Sequence, residues 1–170
     1  MSTTIPLVLR GTVESRGDAN PLLQEPGDYV LVRRGQLRLA LLSCPDGCGE
    51  TVVVNLDARA GKAWRFYSTR RGASLYPSVW RDTGCQSHFI VWNDRILLFG
   101  SNDLESTSEV DEALARRVVG ALAGRVDVDF RDLADELVEV PWEVLETCNG
   151  LVDRRLVRKG SARGTFSASR

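Results

Sequence analysis

Histidine occurs once in the 170 residues, at His88, and that scarcity removes every site built on two imidazoles from one chain. A Rieske iron–sulfur centre, ligated by two histidines and two cysteines, is excluded in its normal form. A zinc deaminase is excluded as well: Phe89 and Ile90 follow His88 where that chemistry needs a glutamate two residues on, and the sequence has no Pro-Cys-x-x-Cys element. Long apolar runs are missing too, since none approaches the roughly 18 residues of a membrane span. The polar opening MSTTIPLVLRGTVESRGD lacks the charged-then-apolar order of a secretory signal. A cytoplasmic protein that does not engage membranes is the expectation.

A strong net charge is also lacking, at −1, but the balance is uneven along the chain. Residues 1–102 carry 12 basic and 9 acidic groups, residues 103–153 carry 4 and 14, and residues 154–170 carry 6 and none. An acidic middle and a basic tail bear on partners and solubility, not on fold.

What is present begins with an apolar fraction of 43%, enough for a core. From Asp28 to Phe99 the pattern is one of short strands: DYVLVRR, QLRLALLSC, TVVVNL, AWRFYS, SLYPSVW, then HFIVW and RILLF joined by Asn93-Asp94. Period-2 geometry puts Leu37, Leu39 and Leu41 on one face, with Arg38 on the other. Asn93-Asp94 tolerates the positive φ angles of a two-residue hairpin. Residues 1–27 form a leader that supplies an edge strand around Ile5–Leu9. GSNDLESTSE is the expected joint between halves, because its residues favour turns. A helix is predicted next, with a capping box at Ser106–Glu109, apolar residues at Val110, Leu114, Val118 and Leu122, and a stop at Gly124.

Three of the four cysteines lie with the single histidine in two tight clusters, LSCPDGCGE and DTGCQSHFI. Cys44, Cys48, Cys85 and His88 thus make three thiols and one imidazole, with 36 residues between the pairs. Zinc takes four tetrahedral donors of these kinds, and each pair can clasp one side of the ion from a tight turn. Gly47 and Gly49 permit such a turn. A full shell leaves no position for an activated water, so the expected Zn2+ is structural. The alternatives are buried apolar cysteines with a satisfied core histidine, or a Cys–His nucleophile pair using Cys85 or Cys44. The last leaves the other thiols without a role.

Over roughly residues 26–99, PGDYVLVRR, LSCPDGCGETVVVNL, SLYPSVW and GCQSHFIVWNDRILLF together resemble a bacterial family with a cysteine-rich knuckle and a Cys-x-Ser-His-Phe element. The matching positions are Cys44, Pro45, Cys48, Gly49, Pro77, Ser78, Cys85, Ser87, His88 and Phe89; the knuckle here has the longer spacing Pro45-Asp46-Gly47. The resemblance implies a connection to bacterial ubiquitin-like conjugation operons and transfers no reaction.

Residues 108–168 resemble the winged helices of the multiple-antibiotic-resistance-regulator class, with core positions at Leu133, Leu137, Val144, Cys148, Leu151, Leu156 and Val157. Pro141 suits a helix first turn, and KGSARGTFSAS supplies a wing hairpin. Gly150 inside the helix costs about 1 kcal/mol relative to alanine. Trp142, Glu143, Leu145 and Glu146 occupy groove-facing positions that suit a protein interface better than phosphates. Arg154, Arg155, Arg158, Lys159 and Arg163 form a basic strand and wing.

The predicted architecture is α+β: a zinc-stabilised β-domain over 1–102 and a winged helix-turn-helix domain over 103–170. The expected role is a non-catalytic zinc-binding adaptor in a ubiquitin-like pathway. Its partner would be a protein, a conjugation component among the candidates, bound through Trp142, Glu143, Glu146, Arg155, Arg158, Lys159 and Arg163. Two alternatives stay open: a DNA-binding transcriptional regulator using the basic wing, and an enzyme with an open zinc position.

Overall fold

The computed structural model describes residues 4–99 and 110–169, so the joint and the capping box expected at Ser106–Glu109 lie outside the described residues. The chain divides into two compact units, Met1–Leu104 and Glu105–Arg170.

The first unit packs two sheets face to face. Strands β1 (Thr4–Pro6), β2 (Val8–Val13), β3 (Asp28–Arg34), β4 (Gln36–Ser43), β5 (Thr51–Asn55), β6 (Arg65–Thr69), β7 (Gly72–Trp80), β8 (His88–Trp92) and β9 (Arg95–Leu98) follow in order, with the short helix α1 (Arg16–Ala19) after β2. One sheet runs β2-β3-β4-β5 and the other β1-β9-β8-β7-β6. Between them lie Leu31, Ala40, Leu42, Cys44, Val52 and Val54 from the first sheet, and Leu75, Val79, Phe89, Val91 and Ile96 from the second. Asn93 and Asp94 both take positive φ, 52° and 56°, and close the β8–β9 hairpin as expected.

Two expectations for this unit need correction. The leader supplies two strands rather than one: β1 pairs antiparallel with β9, and β2 pairs parallel with β3. Leu37 does not share a face with Leu39 and Leu41. The β3–β4 register shifts so that Leu39 opposes Val32 while Leu37 opposes Arg33, leaving Arg38 as the extra residue of a bulge. Leu37 therefore turns to the main core, while Leu39 and Leu41 join Val30, Val32 and Ala19 on the outer face, beneath α1.

The second unit contains α2 (Glu112–Leu122), β10 (Val128–Asp129), α3 (Phe130–Leu137), α4 (Pro141–Asp153), β11 (Val157–Lys159) and β12 (Thr165–Ala168), with sheet order β10-β12-β11. Leu114, Val118 and Leu122 from α2 meet Leu133, Val144, Cys148, Leu151, Val157 and Phe166 in one core. The cap of α2 is Asp111, whose carboxylate accepts from the backbone N–H groups of Ala113 and Leu114. Pro141 stands in the first turn of α4. Leu156, expected in the core, is 52% exposed, because the chain leaves the helix before it and only Val157 turns inward.

α4 runs through Gly150 to Asp153. A Cβ on Gly150 would lie 2.6 Å from Cγ2 of Val110, so glycine makes room for the segment entering α2. Val138, between α3 and α4, is left-handed at φ 55° and 88% exposed, a conformation that β-branched residues rarely adopt. Arg117 pins this turn from both sides, donating to the Leu137 carbonyl and pairing with Glu139, each at 2.5 Å.

Candidate functional site

Two arrangements meet at one end of the first unit. The first grows from the β4–β5 turn. Cys44 follows the last residue of β4 and is fully buried; its N–H donates to Glu50 O and its carbonyl accepts from Gly47 N, at 2.9 and 3.1 Å. Gly47 and Gly49 adopt φ of 81° and 79°, the left-handed backbone that glycine accepts without strain. The turn folds the Asp46 carboxylate inward, where Oδ1 accepts from Cys48 N at 2.9 Å and from the Cys44 thiol at 3.1 Å. The opposing arm is the β7–β8 connection, closed by Arg81 N donating to Ser87 O at 3.0 Å, and it carries Cys85. The sulfurs of Cys44 and Cys85 stand 3.5 Å apart.

The donor atoms of Cys44, Asp46, Cys48 and Cys85 all lie within 4.8 Å of one another, a group that can hold a metal ion. Its chemistry is three soft sulfurs and one carboxylate oxygen. The Arg81 guanidinium already acts there as a cation, with one nitrogen 3.2, 3.5 and 3.7 Å from the sulfurs of Cys85, Cys48 and Cys44, while another pairs with Glu50. Hydrogen bonds from the Cys85 and Cys44 thiols hold Asp46 well below the usual carboxylate range. Burial pushes the Cys44 thiol up to about 12, whereas the Ser87 hydroxyl keeps Cys85 below the ordinary thiol value. A site that draws a guanidinium among its sulfurs fits a cation.

His88 is not in this group, although the sequence assigned it as the fourth ligand, and Asp46 takes that place. The physical reason is strand register. His88 begins β8 opposite Trp80 of β7, and its ring lies against Ser78, Trp80 and Phe99. Its Nε2 lies 2.9 Å from Ser78 Oγ.

Ser78 owes its place to a bulge. Leu75 pairs with Val91 and Val79 with Phe89, so Tyr76, Pro77 and Ser78 of β7 together oppose Ile90 alone. The Tyr76–Pro77 bond in this segment is cis. The indole N–H of Trp64 donates to the Ser78 carbonyl at 3.2 Å. Two further rings flank the imidazole: Phe99 stacks on it, with centroids 4.1 Å apart and planes 22° apart, and Trp80 lies at 5.8 Å and 30°. Burial alone lowers the His88 pKa below its ordinary value. The ring is thus neutral near pH 7 and has a lone pair to offer a hydroxyl. Ser78 was legible only as one residue of a resemblance, because a lone serine carries no spacing signal. The one available imidazole was the clue that it needed a partner.

The remaining predicted site residues lie in the second unit. Arg155, Arg158, Lys159 and Arg163 are exposed, and Arg155, Arg158 and Lys159 line a shallow depression with Val152, Val157 and Ser169. Glu143 is buried, and Trp142 and Glu146 are half-buried, so this part of α4 does not present the open acidic and aromatic surface expected. Arg154 pairs with Glu112 at 2.6 Å.

A hydroxyl 2.9 Å from an imidazole nitrogen has the spacing that serine hydrolases use between nucleophile and base. Residues 16–99, just under half of the chain and the span that holds both members of the pair, match the sequence model of a family described as bacterial ubiquitination-like system serine protease (BubE). No curated protein and no solved structure matches the chain. Among the described residues, no helix is long and apolar enough to cross a membrane.

Proposed function

We propose that this protein is a serine hydrolase of a bacterial ubiquitination-like system, with Ser78 as nucleophile and His88 as general base. The observation that carries the proposal is the 2.9 Å contact between Ser78 Oγ and His88 Nε2, within the reach that proton transfer needs. Ser78 Oγ attacks the carbonyl carbon of an acyl bond while Nε2 takes its proton. The imidazolium then returns that proton to the leaving amine or alcohol, leaving an acyl-serine. Water, deprotonated by the same imidazole, releases the acid and restores Ser78. The family description supports a peptide bond as the substrate. This reading differs from the non-catalytic adaptor expected from the sequence and keeps its pathway.

Zn2+ is the metal that the sulfur-rich set of Cys44, Asp46, Cys48 and Cys85 suits best, and there it would be a structural cross-link between the β4–β5 and β7–β8 turns. Those residues hold the segment that leads into His88; no proton passes through them.

The test is labelling of the full chain with a fluorophosphonate probe, which modifies activated serines. One adduct on Ser78 is expected, lost in Ser78→Ala and reduced at least about a hundredfold in His88→Ala. Labelling that survives in Ser78→Ala refutes the assignment.

A second role for the Glu105–Arg170 unit is favoured by its order α2-β10-α3-α4-β11-β12, the order of a winged helix, and by the exposed Arg155, Arg158, Lys159 and Arg163. That unit would take an acidic partner or nucleic acid. A salt-dependent mobility shift of DNA, abolished by Arg158→Ala with Lys159→Ala, distinguishes nucleic acid from protein.

A further inference from the structure

A general base needs its ring plane and its tautomer fixed. In a serine–histidine–carboxylate site the third residue does this by accepting the Nδ1 proton. For Nε2 of His88 to receive the Ser78 proton, Nδ1 must likewise carry a hydrogen. Yet among the described residues the hydrogen bond made by this ring is the one to Ser78, and no carboxylate pairs with it. What surrounds the ring is aromatic. Trp80 is the register partner of His88 on β7. Phe89 pairs with Leu98 on β9, so Phe99 is the next residue along on the other side, and its N–H donates to His88 O at 2.8 Å. Trp80, His88 and Phe99 therefore form one cross-strand row with the imidazole in the middle. The two flanking rings are 71% and 41% exposed, so neither can be explained as core.

We infer that Phe99 is a positioning residue for the general base: its ring, stacked on His88 and opposed by Trp80, holds the imidazole plane so that Nε2 stays on Ser78, the task a carboxylate performs elsewhere. The inference rests on the Ser78–His88 reading and adds to it. Stacking at 4.1 Å with planes 22° apart restricts rotation about the histidine side-chain torsions and excludes the tilted orientations that would withdraw Nε2 from the hydroxyl. Misplacement of a catalytic group by about 1 Å costs on the order of a hundredfold in rate.

The experiment compares wild type, Phe99→Ala, Phe99→Leu and Phe99→Tyr in the full chain by fluorophosphonate labelling rate, with thermal unfolding as the check on folding. Phe99→Ala and Phe99→Leu are expected to lose about ten- to a hundredfold in rate. Phe99→Tyr, which keeps the flat ring, should stay within about threefold of wild type, the rescue that a merely space-filling role would not demand. Because the chain has one histidine, the long-range proton–nitrogen NMR spectrum of the imidazole gives an independent readout. Wild type and Phe99→Tyr should show a single tautomer protonated at Nδ1, and Phe99→Ala and Phe99→Leu an averaged one. Wild-type labelling and an unchanged imidazole spectrum in Phe99→Leu would overturn the inference, as would a loss in Phe99→Tyr equal to that in Phe99→Ala. If Ser78 proves not to be labelled at all, the hydrolase reading fails, and the tautomer spectra still decide whether Phe99 orients the ring.

Discussion

Replacing Val138 by glycine should stabilise the second unit, although the change removes a side chain and loosens the unfolded chain. Val138 caps α3 at φ 55° and ψ 50°, where its N–H meets the carbonyls of Ala134 and Asp135. A left-handed conformation costs an ordinary L-residue about 1–2 kcal/mol. The strain persists because Arg117 ties down the residues on either side. Glycine removes that cost but returns about 0.5–1 kcal/mol through the greater entropy of the unfolded chain. At 88% exposure the valine side chain contributes almost no burial to lose. The net gain is therefore about 0.5–1 kcal/mol, which for a unit of this size raises the melting temperature by roughly 2–8 °C. Scanning calorimetry of the full chain measures it, with amide exchange of α3 and α4 assigning the transition. Val138→Asn, which tolerates the same backbone, should fall between wild type and Val138→Gly. A melting temperature that stays level or falls in Val138→Gly, with the turn intact, would refute the strain argument.

Gly150→Ala should fail to stabilise α4 despite the roughly 1 kcal/mol of helix propensity it adds, because the new Cβ would meet Val110 at 2.6 Å. Pairing it with Val110→Ala should recover stability in a double-mutant cycle by urea denaturation. Asp111→Ala removes the cap of α2 and should cost the second unit about 1 kcal/mol in the same assay. The pH dependence of Ser78 labelling has a definite sign. Burial lowers the His88 pKa, and the proposed mechanism needs the neutral ring, so the rate should be level above pH 6.5 and decline only as the pH falls through the lowered value. A midpoint above 6.5 would contradict this. Loading the full chain with zinc should displace Arg81 from the sulfurs, and Cys85→Ala should reduce zinc uptake, measured by elemental analysis, more than Cys148→Ala, whose thiol lies in the core of the second unit.

The strands of the first unit were legible because alternation and β-branched runs leave few other ways to bury them, and Asn93-Asp94 marked its hairpin. Leu37 misled because one bulge at Arg38 reverses every face assignment on its far side. The metal group was legible in its three cysteines, whose spacing is local. Its carboxylate was hidden in plain view, since Asp46 looks like a turn former until the turn directs it inward. His88 misled for the opposite reason. Its spacing from Cys85 imitates a ligand pair, while its true neighbour, ten residues away, is set by strand pairing and a bulge that no short pattern records. In the second unit, apolar periodicity located the core but could not show that Leu156 had already left the helix. Nor could it show that Glu143 and Trp142 face inward enough to be covered.

The two strands of the leader have a consequence for how the protein comes to exist during synthesis. β1 and β2 are separated by Leu7 alone, yet β1 completes the sheet of β9 while β2 completes that of β3. Thr4 pairs with Leu97, so the first strand waits on the ribosome for almost the whole unit before it has a place to go. The sheet that bears Ser78 and His88 thus closes from both ends of the unit at once. Partly synthesised chains can hold the β3–β4–β5 meander, but β1 has no partner until β9 is made, and the ring row across β8 forms only then. A nascent chain would therefore not bring Ser78, His88 and Phe99 together until the unit was whole.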